Sequence, residues 1–177
     1  MFSHELWPEV LRVANFMPSH LLHVQTSVEG LTLNLVNVYF PNAGPERVRF
    51  YRQASASIGT LDPHECLVLG GDFNTTLEDW DCSDEKSQAA AGVLREIVDH
   101  HSLVDVWCDH HLDDDTTFTY VWVRDNQLYH SQLDRIYFSH FHVAQDRIPP
   151  APFSDYHLVT VTASLGLGEA RAGLLAF

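Results

Sequence analysis

Positive charge is scarce in this sequence: 10 Lys and Arg stand against 24 Asp and Glu, a formal net charge of −14 over 177 residues. That balance argues against a protein held to nucleic acid by net charge alone, because neutralising phosphates takes Lys and Arg. It leaves open a metal hydrolase, whose carboxylates hold cations that then meet the phosphate. Cysteine is scarce too. Cys66, Cys82 and Cys108 make an odd count with no Cys-x-x-Cys pair, which argues against a disulfide framework and a cysteine zinc knuckle. A reducing compartment fits that count. No apolar run approaches the ~18 residues of a membrane span, and no basic flank with an apolar stretch marks an export signal at the N-terminus. An intracellular protein of nucleus or cytoplasm is expected, neither secreted nor attached to a membrane.

Apolar residues are plentiful at 45%, and the length suits one domain with a real core. The pattern begins with short β-rich runs, Val10 to Phe16 and Leu21 to Val28, parted by Pro18 and Ser19. After Glu29-Gly30, Leu31, Leu33 and Leu35 alternate with polar residues up to Tyr39, the period of a strand. Pro45 suits the first turn of a helix, whose Val48, Tyr51, Ser55 and Ile58 share a face. Cys66 to Gly71 has the length of a buried strand, and Thr75 to Lys86 is a polar acidic loop. Ser87 can cap a second helix bearing Ala89, Ala90, Val93, Leu94, Ile97 and Val98 at helical spacing. Strands return at Thr117 to Val123, Gln132 to Phe138 and Leu158 to Ala163, while Leu165 to Phe177 shows no pattern. Strands, two helices and long loops predict a layered sandwich of both element types.

Four short words carry the chemistry. Gly70-Gly71-Asp72-Phe73-Asn74 follows the buried strand, and its glycines permit a sharp exit and a close backbone approach. Asp72 could take a proton from water or ligate a cation through water, and the Asn74 amide could donate to that water or to a phosphate oxygen. The same word equally suits a turn in which Asp and Asn satisfy the backbone. In Asn37-Val-Tyr39-Phe-Pro41-Asn42 a phenol and an amide could donate to a phosphate, or the aromatic could pack in the core before a proline turn. Leu133-Asp134-Arg135-Ile136-Tyr137 sets a carboxylate in an apolar strand, where burial demands a partner. Arg135 is the nearest one in sequence, although adjacent strand residues point to opposite faces. The fourth word, Phe153-Ser154-Asp155-Tyr156-His157, precedes the final strand.

In this order, the four words resemble the endonuclease/exonuclease/phosphatase superfamily, which includes abasic-site endonucleases, DNase I and the endonuclease domains of LINE-type retrotransposons. The wording is most similar to the retrotransposon branch, over roughly Val10 to Ala163. The resemblance implies an α+β fold, the four-layer α/β/β/α sandwich of the DNase I-like type, lacking its N-terminal strands and first helix. A partial domain over residues 1–164 and a tail over 165–177 are expected. The implied activity is Mg²⁺-dependent phosphodiester hydrolysis by a retrotransposon-type DNA endonuclease, with Mn²⁺ as a possible substitute. A phosphatase or phosphodiesterase of the same fold is the alternative enzyme, and a non-catalytic remnant that binds a partner is the alternative of another class.

The resemblance also assigns roles. Asp72 matches the water-activating aspartate and Asn74 the amide that orients nucleophile and phosphate. Tyr39 and Asn42 match contacts to the scissile phosphate, and Thr117 belongs to the family's Thr-Phe-x strand as a substrate-binding residue. Asp134 matches the aspartate that orients a catalytic histidine, and Asp155 a metal-site aspartate just before that histidine. Tyr156 stands where the histidine is expected, and His157 is one residue out of phase. The family's metal-site Asn and main metal-ligand Glu would precede Val10; Glu5 and Glu9 stand too near the start to be that glutamate. DNA, met through its phosphate backbone, is the implied partner, and an apolar sheet left open favours self-association. Solvated readings suit the remaining features: His100, His101, His110, His111 and Asp113 to Asp115 lack the spacing of an EF-hand or a zinc helix. Arg47, Arg49 and Arg52 could meet a DNA backbone or simply face solvent, and Trp7, Trp80, Trp107 and Trp122 suit packing.

Overall fold

The alternation of apolar residues places three strands side by side before any helix intervenes. β1 (Glu9–Met17), β2 (Leu21–Val28) and β3 (Leu31–Tyr39) form an antiparallel meander. This structure is a computed structural model that describes residues 9–28, 30–62, 64–83, 88–111, 116–139, 142–150, 154–164 and 172–176. Helix α1 (Gly44–Ile58), with Pro45 in its first turn, crosses over to β4 (Cys66–Asp72), which pairs parallel with β3. β4 then pairs antiparallel with β8 (Asp134–Phe138), and the two-residue β5 (Val104–Asp105) lines the far edge. The six-stranded order is β1-β2-β3-β4-β8-β5.

Helix α2 (Gln88–His100) lies beside α1, and the two cover one face of this sheet. Tyr51, Ala54, Ala90, Leu94 and Ile97 pack there on Val36, Val38, Leu67 and Leu69, each large apolar side chain contributing roughly 1.5–3 kcal/mol on burial. The opposite face meets a three-stranded sheet in which β10 (Thr160–Ser164) runs between β9 (His142–Arg147) and β11 (Ala172–Ala176). Val68, Ile136 and Phe138 of the large sheet close with Val161 and Ala163 of the small one and with Val159 just before it, sealed by Val106 of the short helix α3 (Val106–His110). The described residues thus form helix, sheet and sheet layers. Among them no helix makes the fourth layer of the expected sandwich, and none is long and apolar enough to cross a membrane.

Three elements differ from the sequence expectations. The run from Thr117 to Phe138 contains a hairpin, β6 (Tyr120–Arg124) and β7 (Gln127–Ser131), and Leu133 lies just before β8 rather than inside it. Its turn is Asp125-Asn126, both at positive φ (53° and 61°), the left-handed pair a tight hairpin turn requires. Without a glycine, that turn is hidden in the sequence. β9 also went unpredicted. Ala172–Ala176, inside the stretch set apart as a tail, pairs antiparallel with β10. Glu5, Trp7, Ser87, Asp113 to Asp115 and Phe153 lie outside the described residues. Trp80 is 63% exposed and so is no packing anchor.

Strand alternation separates Asp134 from Arg135, as sequence periodicity requires. Arg135 is fully buried on the other face, where its fork grips Asp81 with one arm and Asp105 Oδ2, at 2.5 Å, with the other. Asp81 in turn accepts the Leu77 and Glu78 amides at 2.8 and 2.9 Å. One guanidinium therefore joins β8 to the loop before α2 and to the β5–α3 corner. Its removal leaves two buried carboxylates without their cation, which typically costs about 3–5 kcal/mol. Urea denaturation of Arg135→Met is expected to show a loss of that size, and Arg135→Lys to recover only part of it, because ammonium lacks the fork.

Candidate functional site

Three strand ends meet level with one another. Tyr39 of β3 is the register partner of Asp72 in β4, and Asp72 is the partner of Asp134 in β8. Register partners share a sheet face, so a phenol and two carboxylates stand in one row at the mouth of the sheet. Gly71 allows this arrangement. Its φ is +131°, and a Cβ there would lie 2.0 Å from the Val38 carbonyl oxygen, so only glycine lets β3 and β4 keep this register up to the row.

Beyond the row, two loops are tied to each other. Asn74, at φ 47°, donates its backbone N–H to Asp72 Oδ1 at 2.8 Å. Its side-chain amide donates to Asp72 Oδ2 at 3.3 Å and to the Phe40 carbonyl at 2.6 Å. With both amide hydrogens so used, Asn74 offers an incoming water its oxygen, as acceptor. The word thus adopts the turn reading, with both Asn74 amide hydrogens spent inside the protein rather than offered to a water or a phosphate. Arg47 closes the second tie: its guanidinium donates to the carbonyls of Pro41 (3.0 Å), Asn42 and Asn74 and to Thr75 Oγ1 (3.2 Å). The Tyr51 hydroxyl donates to the Phe73 carbonyl at 2.9 Å from beneath. Tyr39 remains 52% exposed, its ring parallel to His20, whose Nδ1 donates to the Tyr39 carbonyl at 2.6 Å.

Burial raises the Asp72 carboxyl, opposed by the Asn74 amide and by the Arg47 charge. Asp134 rises further, to about 7, first through burial and then through the neighbouring Asp72 charge, with the Thr119 hydroxyl opposing. Asp134 Oδ2 is buried with no hydrogen-bond partner. Thr119, itself fully buried, accepts the Leu133 and Asp134 amides through Oγ1 at 2.9 and 3.0 Å. Its carbonyl accepts the His157 amide at 2.7 Å, which docks the Ser154–His157 segment beside β6. Tyr156 forms a bridge with Tyr120 there, and burial together with the Asp72 and Asp134 charges lifts its phenol to about 12.

The structure thus gathers Tyr39, Asp72, Asn74, Asp134 and Tyr156 at one mouth. Asn42 stands exposed at its rim, tied by its carbonyl. Asp155 is exposed and accepts the Val121 amide through its carbonyl. Thr117 instead lines a separate cavity of about 580 Å³ with Asp105 and Arg135, and Thr119 is the threonine that meets Asp134. Sequence patterns missed Thr119 and His20, and assigned Arg47 to a DNA backbone or to solvent, whereas it ties the two site loops. Arg47 carried a signal, since it falls one turn before Tyr51 on α1 and thus near the buried face. His110 and His111 both bind the Asp146 carboxylate, at 2.7 and 2.8 Å, and among the described residues no three His, Cys, Asp or Glu side chains form a metal-holding group.

Two outcomes follow for stability. Gly71→Ala is expected to lose at least about 1 kcal/mol, because the native φ and the Val38 oxygen both exclude a methyl group; chemical denaturation measures it. A carboxyl whose pKa rises from 3.8 to about 7 on folding binds more protons folded than unfolded between those values, so its contribution to stability falls as pH rises through that window. Asp134→Asn removes this penalty. In metal-free buffer it is expected to raise the melting temperature at pH 8 and to leave it little changed below pH 4, with a ceiling of roughly 4 kcal/mol.

Comparison with known proteins agrees with this geometry. The Endonuclease/Exonuclease/phosphatase family matches residues 6–156. A Xenopus laevis protein described as the Transposon TX1 uncharacterized 149 kDa protein is 42% identical over 176 residues, which is 97% of this chain but only 13% of that protein. An AP endonuclease from Archaeoglobus fulgidus superposes with a TM-score of 0.67 at 15% identity, over 86% of this chain and 69% of its own. The endonuclease domain of TRAS1, a telomere-specific non-LTR retrotransposon, superposes with a TM-score of 0.61 at 16% identity, over 88% of this chain and 67% of its own. TDP2 of D. rerio, complexed with a single strand DNA product, gives 0.57 at 15% identity, over 85% of this chain and 64% of its own. The fold is thus the DNase I-like fold of the AP endonucleases, and the chain belongs to the Endonuclease/Exonuclease/phosphatase family.

Proposed function

We propose that this mouth is a phosphodiester-hydrolysing site of the retrotransposon endonuclease type, with DNA as its substrate and Mg²⁺ (or Mn²⁺) as its metal. The observation that carries the reading is the level row of Tyr39, Asp72 and Asp134 with Asn74 bonded to Asp72. Asp72 takes the proton of the attacking water, and the Asn74 oxygen fixes that water's direction. The exposed Tyr39 hydroxyl and the Asn42 amide donate to the phosphoryl oxygens from the opposite loop. Arg47 keeps the two loops at a constant spacing and favours the ionised, proton-accepting form of Asp72.

The side chains fit a hard cation. Two neighbouring carboxylates repel each other, and one buried oxygen of Asp134 has no hydrogen-bond partner. Asp72 and Asp134 would hold it, and water would complete the shell. When bound, it supplies charge to the phosphoryl oxygens and to the leaving alkoxide. Activity is expected to be low, because Tyr156 supplies a neutral hydrogen bond at a place where an imidazolium would supply charge. The three free cysteines suit an intracellular setting, nuclear or cytoplasmic.

Nicking of supercoiled plasmid in Mg²⁺ tests this. Asp72→Ala is expected to reduce the rate by roughly 10²–10⁴, and EDTA to abolish it. Nicking that survives both would remove the reading.

A further inference from the structure

On the side of Tyr39 away from Asp72 the ladder runs one step further. Leu21 of β2 is the register partner of Val38, and the next pair is closed by the Tyr39 N–H, which donates to the His20 carbonyl at 2.9 Å. His20 also closes the turn from β1: its N–H donates to the Met17 carbonyl at 2.8 Å, after Ser19 at φ 67°. Its main chain is thus held from both sides, and so is its ring. Nδ1 lies 2.6 Å from the Tyr39 carbonyl oxygen. A carbonyl only accepts, so Nδ1 carries the proton and the neutral ring keeps a lone pair at Nε2. The imidazole lies parallel to the Tyr39 ring, with 3° between planes and 5.9 Å between centroids, and Phe50 of α1 meets it at 4.6 Å. Among the described residues no other ring packs on Tyr39, and its hydroxyl has no hydrogen-bond partner.

We propose that His20 is a positioning residue, which holds the Tyr39 phenol in the direction from which it meets the phosphoryl group. This rests on the hydrolase reading above and deepens it. A phenol standing half in solvent has to be ordered before it can donate, and that ordering costs conformational entropy. The bond from Nδ1 fixes the last carbonyl of β3, and the parallel imidazole limits where the Tyr39 ring can turn. Phe50 ties that imidazole to α1, the helix whose Arg47 spans the two site loops. Tyr39 is thereby aimed from the same helix that spaces the loops around it. The neutral imidazole spends its one N–H on a carbonyl and has none left for a phosphate, so its action passes through Tyr39.

A double-mutant cycle with Tyr39→Phe tests this, read on turnover of a duplex oligonucleotide and on calorimetric binding of orthovanadate, a mimic of the five-coordinate phosphoryl group. His20→Ala is expected to lower kcat by roughly 10–10²-fold with KM little changed, and to weaken vanadate by a similar factor. In the Tyr39→Phe background the same change is expected to cost about twofold at most, because the group it aims is gone. His20→Asn keeps an N–H where Nδ1 stands and is expected to restore most of the rate. His20→Gln, whose amide reaches the Nε2 position instead, is expected to behave as His20→Ala. Nitrogen-15 spectra of the wild type at about pH 8, above the ordinary imidazole range, are expected to show the proton on Nδ1. A His20→Ala loss that is undiminished in Tyr39→Phe, or rescue by Gln and not by Asn, overturns the positioning role while Asp72→Ala remains inactive. A proton on Nε2 overturns it without any variant or turnover. Hydrolysis indifferent to Asp72→Ala, or a wild type that neither turns over nor binds vanadate, overturns the site reading itself.

Discussion

At Gly71 two backbones approach so closely that any side chain would collide with the Val38 carbonyl. That approach sets the register of β3 against β4, and the register decides which residues emerge together where the sheet ends. A shift of one residue would turn Asp72 to the helical side and break the row with Tyr39 and Asp134. Packing above and below serves the same end. Leu67 and Leu69 anchor β4 to the helices, Val68 anchors it to the second sheet, and the strand cannot slide without losing both.

Arginine is used sparingly, and two of its copies hold the architecture from within. Arg47 gathers three carbonyls and a hydroxyl of the two site loops, and Arg135 neutralises Asp81 and Asp105 behind the site. The Arg135 fork satisfies carboxylates largely shut off from water, where a charge-assisted bond is worth most, while the bonds of Arg47 are part-buried or exposed. The acidic excess of the chain therefore does not describe the mouth, where carboxylates stand in a field shaped by Arg47. The Asp134 carboxyl rises to about 7, first through burial and then through the neighbouring Asp72 charge.

Local periodicity made much of this legible in advance. The meander, α1, β4 and α2 follow from alternation, a helical face and an apolar run, and Asp72 and Asn74 were identifiable from a glycine pair closing that run. The hairpin was not, because Asp125 and Asn126 adopt left-handed φ without a glycine to announce it. Thr119 was passed over for Thr117 for a related reason. A strand boundary misplaced by three residues leaves the phase of its side chains undetermined, and only the bond from Asp134 N to Thr119 Oγ1 decides it. β9 and β11 depend on pairing with β10, a long-range choice that local patterns do not encode. Arg47 was visible as a charge, and its partners were not, since three of the four are carbonyls, which every residue possesses.

The central claim is that Tyr39, Asp72 and Asp134 form one cation-and-phosphate site, and a spectroscopic titration with Mn²⁺ tests it most directly. Paramagnetic broadening of carboxyl and aromatic resonances reports which side chains lie nearest the ion. The account predicts that Asp72, Asp134 and Tyr39 broaden together at the lowest Mn²⁺ additions, and that Asp134→Asn removes the effect. Broadening centred first on Asp146, His110 and His111, with the row unaffected, would contradict it.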